Sequence, residues 1–189
     1  MAWVTICKDD NSFIRPNFRA KEFYSTSAAY GYTVPDCHPM DSKLFDAAQW
    51  LRDITGVPWS LTSTMRVLAH NRAIGSKDTS LHIPGRAVDM QPTNSAGRKA
   101  LLKKVFADIA AKGPIYVGLR ERGINGIGAY NSFIHLDTRE TFAAWDFSGR
   151  SFNLPKITTA FLSCVPEPDW SEMEAPTCLP EDGAKKKSP

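Results

Sequence analysis

Two stretches of this 189-residue sequence place imidazoles and carboxylates where they could hold a metal ion. The first, Ser80-Leu81-His82-Ile83-Pro84-Gly85-Arg86-Ala87-Val88-Asp89, supplies a histidine and an aspartate, with Gly85 between them to allow a sharp backbone turn. The second, Phe133-Ile134-His135-Leu136-Asp137-Thr138-Arg139, sets His135 and Asp137 two apart, so on a strand both side chains project from one face. Zinc accepts imidazole nitrogen and carboxylate oxygen at about 2.0 to 2.2 Å, and its hydrolytic sites use three protein ligands with one position left for water. His82, Asp89 and His135 fill that specification. Zinc acidifies its water to near neutrality and a nearby carboxylate takes the proton, which makes Asp137 the candidate base. Arg66 is the candidate cation for a substrate carboxylate or a developing oxyanion, and Ser80 the candidate to orient His82. Simpler readings stay open: Asp137 as an ion-pair partner of Arg139, Arg66 paired with a surface acid, and Ser80 as a turn residue. His38 and His70 lack a carboxylate context and are read as structural.

These residues need elements to position them. Asp41 or Ser42 can cap a helix in which Leu44, Ala47, Ala48, Leu51 and Ile54 recur at helical spacing until Gly56 and Pro58 end it. Trp59 to Thr64 alternates apolar and polar side chains and predicts a strand, with Arg66 just past its end. Ala87 to Met90 is a second strand, and Ser95 to Lys112 a second amphipathic helix with Leu101, Leu102, Val105, Phe106 and Ile109 inward, closed by Gly113 and Pro114. Ile115 to Leu119, Ile127 to Tyr130 and Phe133 to Asp137 are short strand candidates. Upstream, Phe18 to Phe23 reads as a short helix or turn, and the following stretch through Pro39 as loop. Short strands with two helices give an α+β class.

Composition sets outer limits. A length of 189 residues suits one domain, with 42% apolar and 23% charged residues typical of a globular chain. No run approaches the roughly 20 apolar residues of a membrane helix, so no membrane span is expected. A formal charge of +3, with its cations dispersed, argues against nucleic acid as the main partner and suits an anionic wall. Cys7, Cys37, Cys164 and Cys178 form no Cys-x-x-Cys pair, which disfavours a zinc knuckle; free thiols and one or two bridges both remain open. The domain is expected over 1–165, with a polar, flexible tail over 166–189 that ends in Lys185-Lys186-Lys187. The first ten residues lack the pattern of a secretory signal.

Taken together, these residues resemble the zinc D-alanyl-D-alanine carboxypeptidases and murein endopeptidases of the M15 peptidase family, especially its compact type A members. The resemblance runs from about Phe18 to Trp145, through Asn17-Phe18, Glu22-Phe23, Leu51 to Gly56, Thr62 to Arg66, His70 to Gly75, Ser80 to Asp89, Gly126 to Tyr130, Phe133 to Arg139 and Trp145. It implies zinc on His82, Asp89 and His135, Arg66 toward the substrate, and a small antiparallel sheet flanked by helices. The implied activity is hydrolysis of peptidoglycan stem peptides or cross-links. A monomer is expected; the missing signal pattern points to a phage lysis protein crossing from host cytoplasm to the wall or to a virion part, and a bacterial periplasmic enzyme whose signal has been removed fits equally. Several branches carry a carboxylate three residues before the last ligand, where this chain has Ser132; Asp137 matches the compact type A pattern. Thr64-Met65 stands where a glycine and an aromatic are commoner, a departure expected to alter the pocket wall. Ser80 to Asp89 is also similar to the signalling domain of hedgehog proteins, which implies an alternative: a zinc-stabilised binding module that recognises cell wall or a protein partner without turnover.

Overall fold

A computed structural model describes residues 3–147 of the chain. The expected domain end at 165, the tail, Cys164 and Cys178 lie outside the described residues. Strand β1 (Trp3–Cys7) leads into a short hairpin of β2 (Phe13–Arg15) and β3 (Phe18–Arg19), then 3-10 turns over Ala20–Phe23 and Thr26–Tyr30. β4 (Cys37–Asp41) returns antiparallel to β1, and Cys7 and Cys37, partners in that register, are joined by a disulfide. This cross-link spans a sequence separation of 30 residues, and loop entropy gives such a closure about 3 to 4 kcal/mol. The stretch expected to be loop through Pro39 therefore contains a 3-10 turn and most of a strand. Its sequence hides the strand, because Cys-His-Pro-Met-Asp interrupts the run with a proline, which strands tolerate mainly at edges.

Helix α1 (Lys43–Thr55) forms where the apolar spacing placed it. The Asp41 carboxylate accepts the backbone N–H of Lys43, and Gly56 ends the helix in the left-handed conformation. Strand β5 (Trp59–Ser63), a short helix α2 (Leu68–Ala73), strand β6 (Ala87–Pro92) and helix α3 (Ser95–Ala110) follow, with the Asn94 side chain capping α3. Ile115 to Leu119, expected as a strand, is instead inside helix α4 (Pro114–Glu121). Pro114 opens the helix with its φ already set. Asp108 accepts the backbone N–H groups of Ile115 and Tyr116, so their first-turn donors are satisfied. The stretch is amphipathic at helical spacing, with Leu119 buried and Val117 exposed.

The last strands are β7 (Gly126–Ala129), β8 (Ile134–Asp137) and β9 (Ala143–Asp146), and the main sheet has the order β5-β6-β8-β7-β9. All neighbours are antiparallel except β7 and β9, so the expected antiparallel sheet is a mixed one with a parallel edge. Asn125 makes that edge possible by clamping the crossover from β8. Its amide donates to the carbonyls of Arg139 and Glu140 at 2.6 and 3.0 Å, and its own carbonyl accepts the Ala143 N–H at 2.8 Å.

One face of the sheet is apolar. Val88, Met90, Ile127, Ala129, Ile134 and Leu136 are fully buried and share a core with Leu44, Phe45 and Leu51 of α1 and Leu102, Val105 and Phe106 of α3. Each such Leu, Ile or Phe contributes about 1.5 to 3 kcal/mol on burial. That face holds the sheet together, which leaves the opposite face open to polar chemistry.

The loop before β6 is pinned from beneath. Gly85 has φ +72° and lies so close to the Pro39 carbonyl on β4 that a Cβ would collide with it, while its own carbonyl accepts the Asp41 N–H at 3.0 Å. Gly31 has a similar φ of +77° with nothing near its missing Cβ. Gly85→Ala is therefore expected to lower the thermal midpoint by more than Gly31→Ala, which should show only the left-handed cost of about 1 to 2 kcal/mol, or roughly 2 to 8 °C. Equal losses in calorimetry would mean that the approach to Pro39 does not constrain the loop.

Candidate metal centre

Strand register decides what the polar face presents. Asp89 on β6 lies directly opposite His135 on β8, which lies opposite Gly128 on β7, and Gly128 is partnered by Trp145 on β9. Next to this row, Ala87, Asp137, Gly126 and Ala143 form a second one. A third continues past the strand ends with Phe133 and Tyr130, whose rings stack 4.2 Å apart, and Phe147 beyond. Three rows of alternate residues thus gather a carboxylate and imidazole, a second carboxylate, and an aromatic group on one face. His82 reaches the same place from the loop before β6.

His82, Asp89 and His135 are all buried, and each can offer one ligand atom to a common point. The His82 ring gives Nδ1 to the Thr64 carbonyl at 2.7 Å, and a carbonyl only accepts, so Nδ1 carries the hydrogen and Nε2 keeps its lone pair. His135 Nε2 faces Asp137 Oδ2 at 3.0 Å, so a neutral ring keeps its hydrogen there and presents a lone pair at Nδ1, while the protonated ring also donates from Nδ1 to Asp89. These two nitrogens are 3.2 Å apart, and Asp89 Oδ1 stands 2.8 Å from His135 Nδ1 and 3.4 Å from His82 Nε2. Donors around a tetrahedral zinc with bonds of about 2.0 to 2.1 Å stand about 3.3 Å apart. The trio comes within about 0.5 Å of that spacing, and its donor set of two imidazoles and a carboxylate converging on one point fits zinc.

The supports of the trio are specific. Thr64 is pinned by its hydroxyl, which donates to the Tyr24 carbonyl at 2.6 Å and accepts from the Thr26 N–H at 3.2 Å, so the carbonyl that orients His82 is fixed. Ser80, expected to orient His82, accepts the backbone N–H of His82 at 3.4 Å and so shapes the turn; the ring is held by Thr64. The side chain at Thr64 is thus tied to the loop wall, while its backbone serves the ligand.

Asp137, the candidate base, lies behind the His135 ring. It is fully buried, its Oδ2 holds His135 Nε2, and Arg139 grips both its oxygens with Nε at 2.8 and 3.1 Å and a further nitrogen at 2.6 Å. Nε2 is the ring nitrogen turned away from the shared point, so Asp137 is set to orient the ligand from behind. Both flanking glycines are needed for this packing. The Asp137 carboxylate fills the space of a Cβ on Gly126, and a Cβ on Gly128 would stand 2.6 Å from Trp145 Nε1. Arg66 is buried beside the trio: it pairs with Asp89 at 3.6 Å and donates to Asn71 at 3.3 Å, while its buried Nε has no hydrogen-bond partner among the described residues.

Electrostatics follow this geometry. Burial opposes charge on His135, but hydrogen bonds to Asp137 and Asp89 outweigh it and push its pKa up to about 9. Burial works against ionisation of Asp89 and Asp137 too, yet their histidine partners, with Arg139 for Asp137, hold both well below the usual carboxylate range. Burial lowers His82, so it stays neutral. His38 is buried on β4 and drops to about 4 for the same reason. His70, read as structural, is hydrogen-bonded to Ser27 and lies between the rings of Tyr30 and Tyr32, at the wall of the site and apart from the ligands.

The trio lies on the floor of a cleft of about 1060 Å³. Tyr30 and Ile74 on one rim and Phe147 on the other are exposed apolar residues. Arg66, Lys77 and Arg139 also line it. Sequence reasoning placed Thr64 at the pocket wall and Tyr130 and Trp145 within the family resemblance, but assigned none of the three a role toward the ligands. The signal that could have found the last two is the alternation of Gly126, Gly128 and Tyr130 on one strand face, which leaves room for bulky groups from neighbouring strands over β7.

One family model, described as Peptidase M15, matches residues 16–137, which contain all three ligands, Arg66 and Asp137. No curated protein and no solved structure matches the chain.

Zinc affinity is expected to tighten about tenfold per pH unit between pH 7 and 8, because one proton must leave His135, whose pKa is about 9, while burial keeps His82 below its ordinary value and so neutral in this window. Competition with a chromophoric chelator measures this, and a pH-independent affinity would exclude His135 Nδ1 as a ligand. In metal-free protein the raised His135 value has the linked consequence for stability. The contribution is fully present below the unfolded pKa near 6.5 and is lost as pH rises through about 9.

Proposed function

The chain belongs to the peptidase M15 family, and from that premise we propose that it is a zinc metallopeptidase that hydrolyses peptidoglycan stem peptides or their cross-links. The observation that carries this reading is the set of inward electron pairs on His82 Nε2, His135 Nδ1 and Asp89 Oδ1, spaced as a zinc ion needs. Zinc bound there supplies Lewis acidity toward a carbonyl and an acidified water. The protein's own groups do the rest. Thr64 and Asp137 fix the two ring orientations, and the Arg139 clamp keeps Asp137 ionised and in place. The guanidinium of Arg66 lines the cleft beside Asp89, and its positive charge suits a substrate carboxylate or a carbonyl oxygen gaining charge.

The cleft supports an acidic peptide as the occupant. Its carboxylates, Asp89 and Asp137, are both engaged, while Arg66, Lys77 and Arg139 leave the lining cationic. Stem peptides carry free carboxylates and small residues, which suit such a groove.

One observation favours the non-catalytic binding module as a second reading. Among the described residues lining the cleft, the two carboxylates are committed to the histidines, and Ser132 is exposed at the tip of the β7–β8 hairpin. No carboxylate is thereby assigned to accept a proton from water.

Digestion of purified peptidoglycan by zinc-loaded protein, with muropeptide masses as readout and His82→Ala in parallel, separates the two. Fragments that vanish in the variant establish the peptidase and identify its bond; intact peptidoglycan with one zinc per chain moves the assignment to the binding module. Asp137→Asn tests the orienting role: zinc affinity should weaken roughly 10- to 100-fold. Unchanged affinity with abolished hydrolysis would instead return Asp137 to the part of base.

A further inference from the structure

The aromatic row beside the ligands contains a hydroxyl that the reading above does not use. Tyr130 follows β7 on the same face as Gly126 and Gly128, and its ring lies flat on Phe133, with centroids 4.2 Å and planes 12° apart. Phe147 approaches the ring as well, at 5.7 Å. The hydroxyl oxygen accepts Trp145 Nε1–H at 3.2 Å. Trp145 is itself lodged in the space over Gly128 and against the His135 ring, at 5.2 Å between centroids. The indole that packs on a ligand therefore also aims the phenol.

An oxygen that accepts from an indole keeps its own hydrogen for donation, and among the described residues no acceptor takes it. Tyr130 lines the same cleft as Asp89, His135 and Arg66, and its hydroxyl lies near enough to Asp89 and Arg66 to feel both charges. Burial raises its pKa above the ordinary value, so the group is a neutral donor throughout the working range of pH. A rim built only for apolar contact would be served as well by phenylalanine, as it is at Phe133 and Phe147.

We propose that Tyr130 is a catalytic residue of this centre: its phenolic O–H donates a hydrogen bond to the scissile carbonyl oxygen as that oxygen gains negative charge, in concert with Arg66. The inference rests on the zinc-peptidase reading. No proton changes hands and no bond to Tyr130 forms; the phenol stabilises charge in the transition state and is unchanged afterwards. It accounts for the electrostatic half of catalysis in a cleft whose carboxylates are already engaged.

The test compares zinc-loaded wild type with Tyr130→Phe, which keeps the stack on Phe133 and removes only the hydroxyl. Initial rates on purified peptidoglycan give kcat and KM. Calorimetry gives affinity for a phosphinate pseudopeptide built on the bond that the wild-type muropeptides identify, a tetrahedral charged mimic of the transition state. Loss of one such donor is expected to lower kcat about 100-fold, with KM and zinc affinity unchanged, and to weaken phosphinate binding by a similar factor. A variant within threefold of wild type in both kcat and phosphinate affinity overturns the role of Tyr130 and leaves the peptidase reading standing. A wild type that leaves peptidoglycan intact overturns that reading and this inference with it.

Discussion

Two imidazole lone pairs and a carboxylate turned toward one another in a buried space repel, and much of the polar side of this protein is organised to keep them there. A trio of this kind is unstable alone. Without a metal it takes up a proton on His135, where two carboxylates favour the charge. With a cation the same three atoms become a preformed cage. The competition between one proton and one metal ion for the same lone pair is the constraint from which the surrounding geometry follows, because every supporting group must hold a ligand in the orientation that the proton alone would not require.

The two-sided sheet makes this affordable in structural terms. Val88, Met90, Ile134 and Leu136 anchor β6 and β8 in the core, so Asp89 and His135 on the alternate positions are located by packing they take no part in. The supports then come from different directions. A backbone carbonyl fixes His82, a carboxylate clamped by Arg139 fixes His135, and Arg66 sits beside Asp89. None is a side chain of the loop that carries His82, whose own hydrogen bonds close its turns and tie its backbone to β4, to the Arg66 N–H and to Thr138. Rigid elements carry the chemistry, and the loop is made rigid by what lies beneath it.

The parts of this arrangement that were legible in sequence are local ones. The ligand trio was visible because His82 and Asp89, and His135 and Asp137, lie close within their segments, and helices α1 and α3 because their apolar positions repeat every turn. What escaped notice depends on distant strands meeting in a particular register. Thr64 acts through a carbonyl, which every residue has, so its type carries no signal. Trp145 enters the site only because β9 pairs with β7, across a crossover that Asn125 clamps, and Tyr130 because it continues the face of Gly126 and Gly128. The misread segment at α4 shows the same limit: Ile-Tyr-Val-Gly-Leu has strand-like composition, and a carboxylate in the preceding helix, Asp108, favours the helix. Asp137 was found by its spacing, whereas its clamp by Arg139 and its position behind the ring needed coordinates.

Gly126 and Gly128 give this site a lopsided capacity for change. Both are already the smallest residue available, and the space above them is filled by Asp137 and Trp145. Substitution there can only add atoms, so neither natural drift nor deliberate engineering can deepen the floor along β7. Any lineage that acquires a new substrate must therefore do so at the rims, where Tyr30, Ile74 and Phe147 are exposed and free to vary in size. The floor would stay as a fixed record of the chemistry while the rims record the diet.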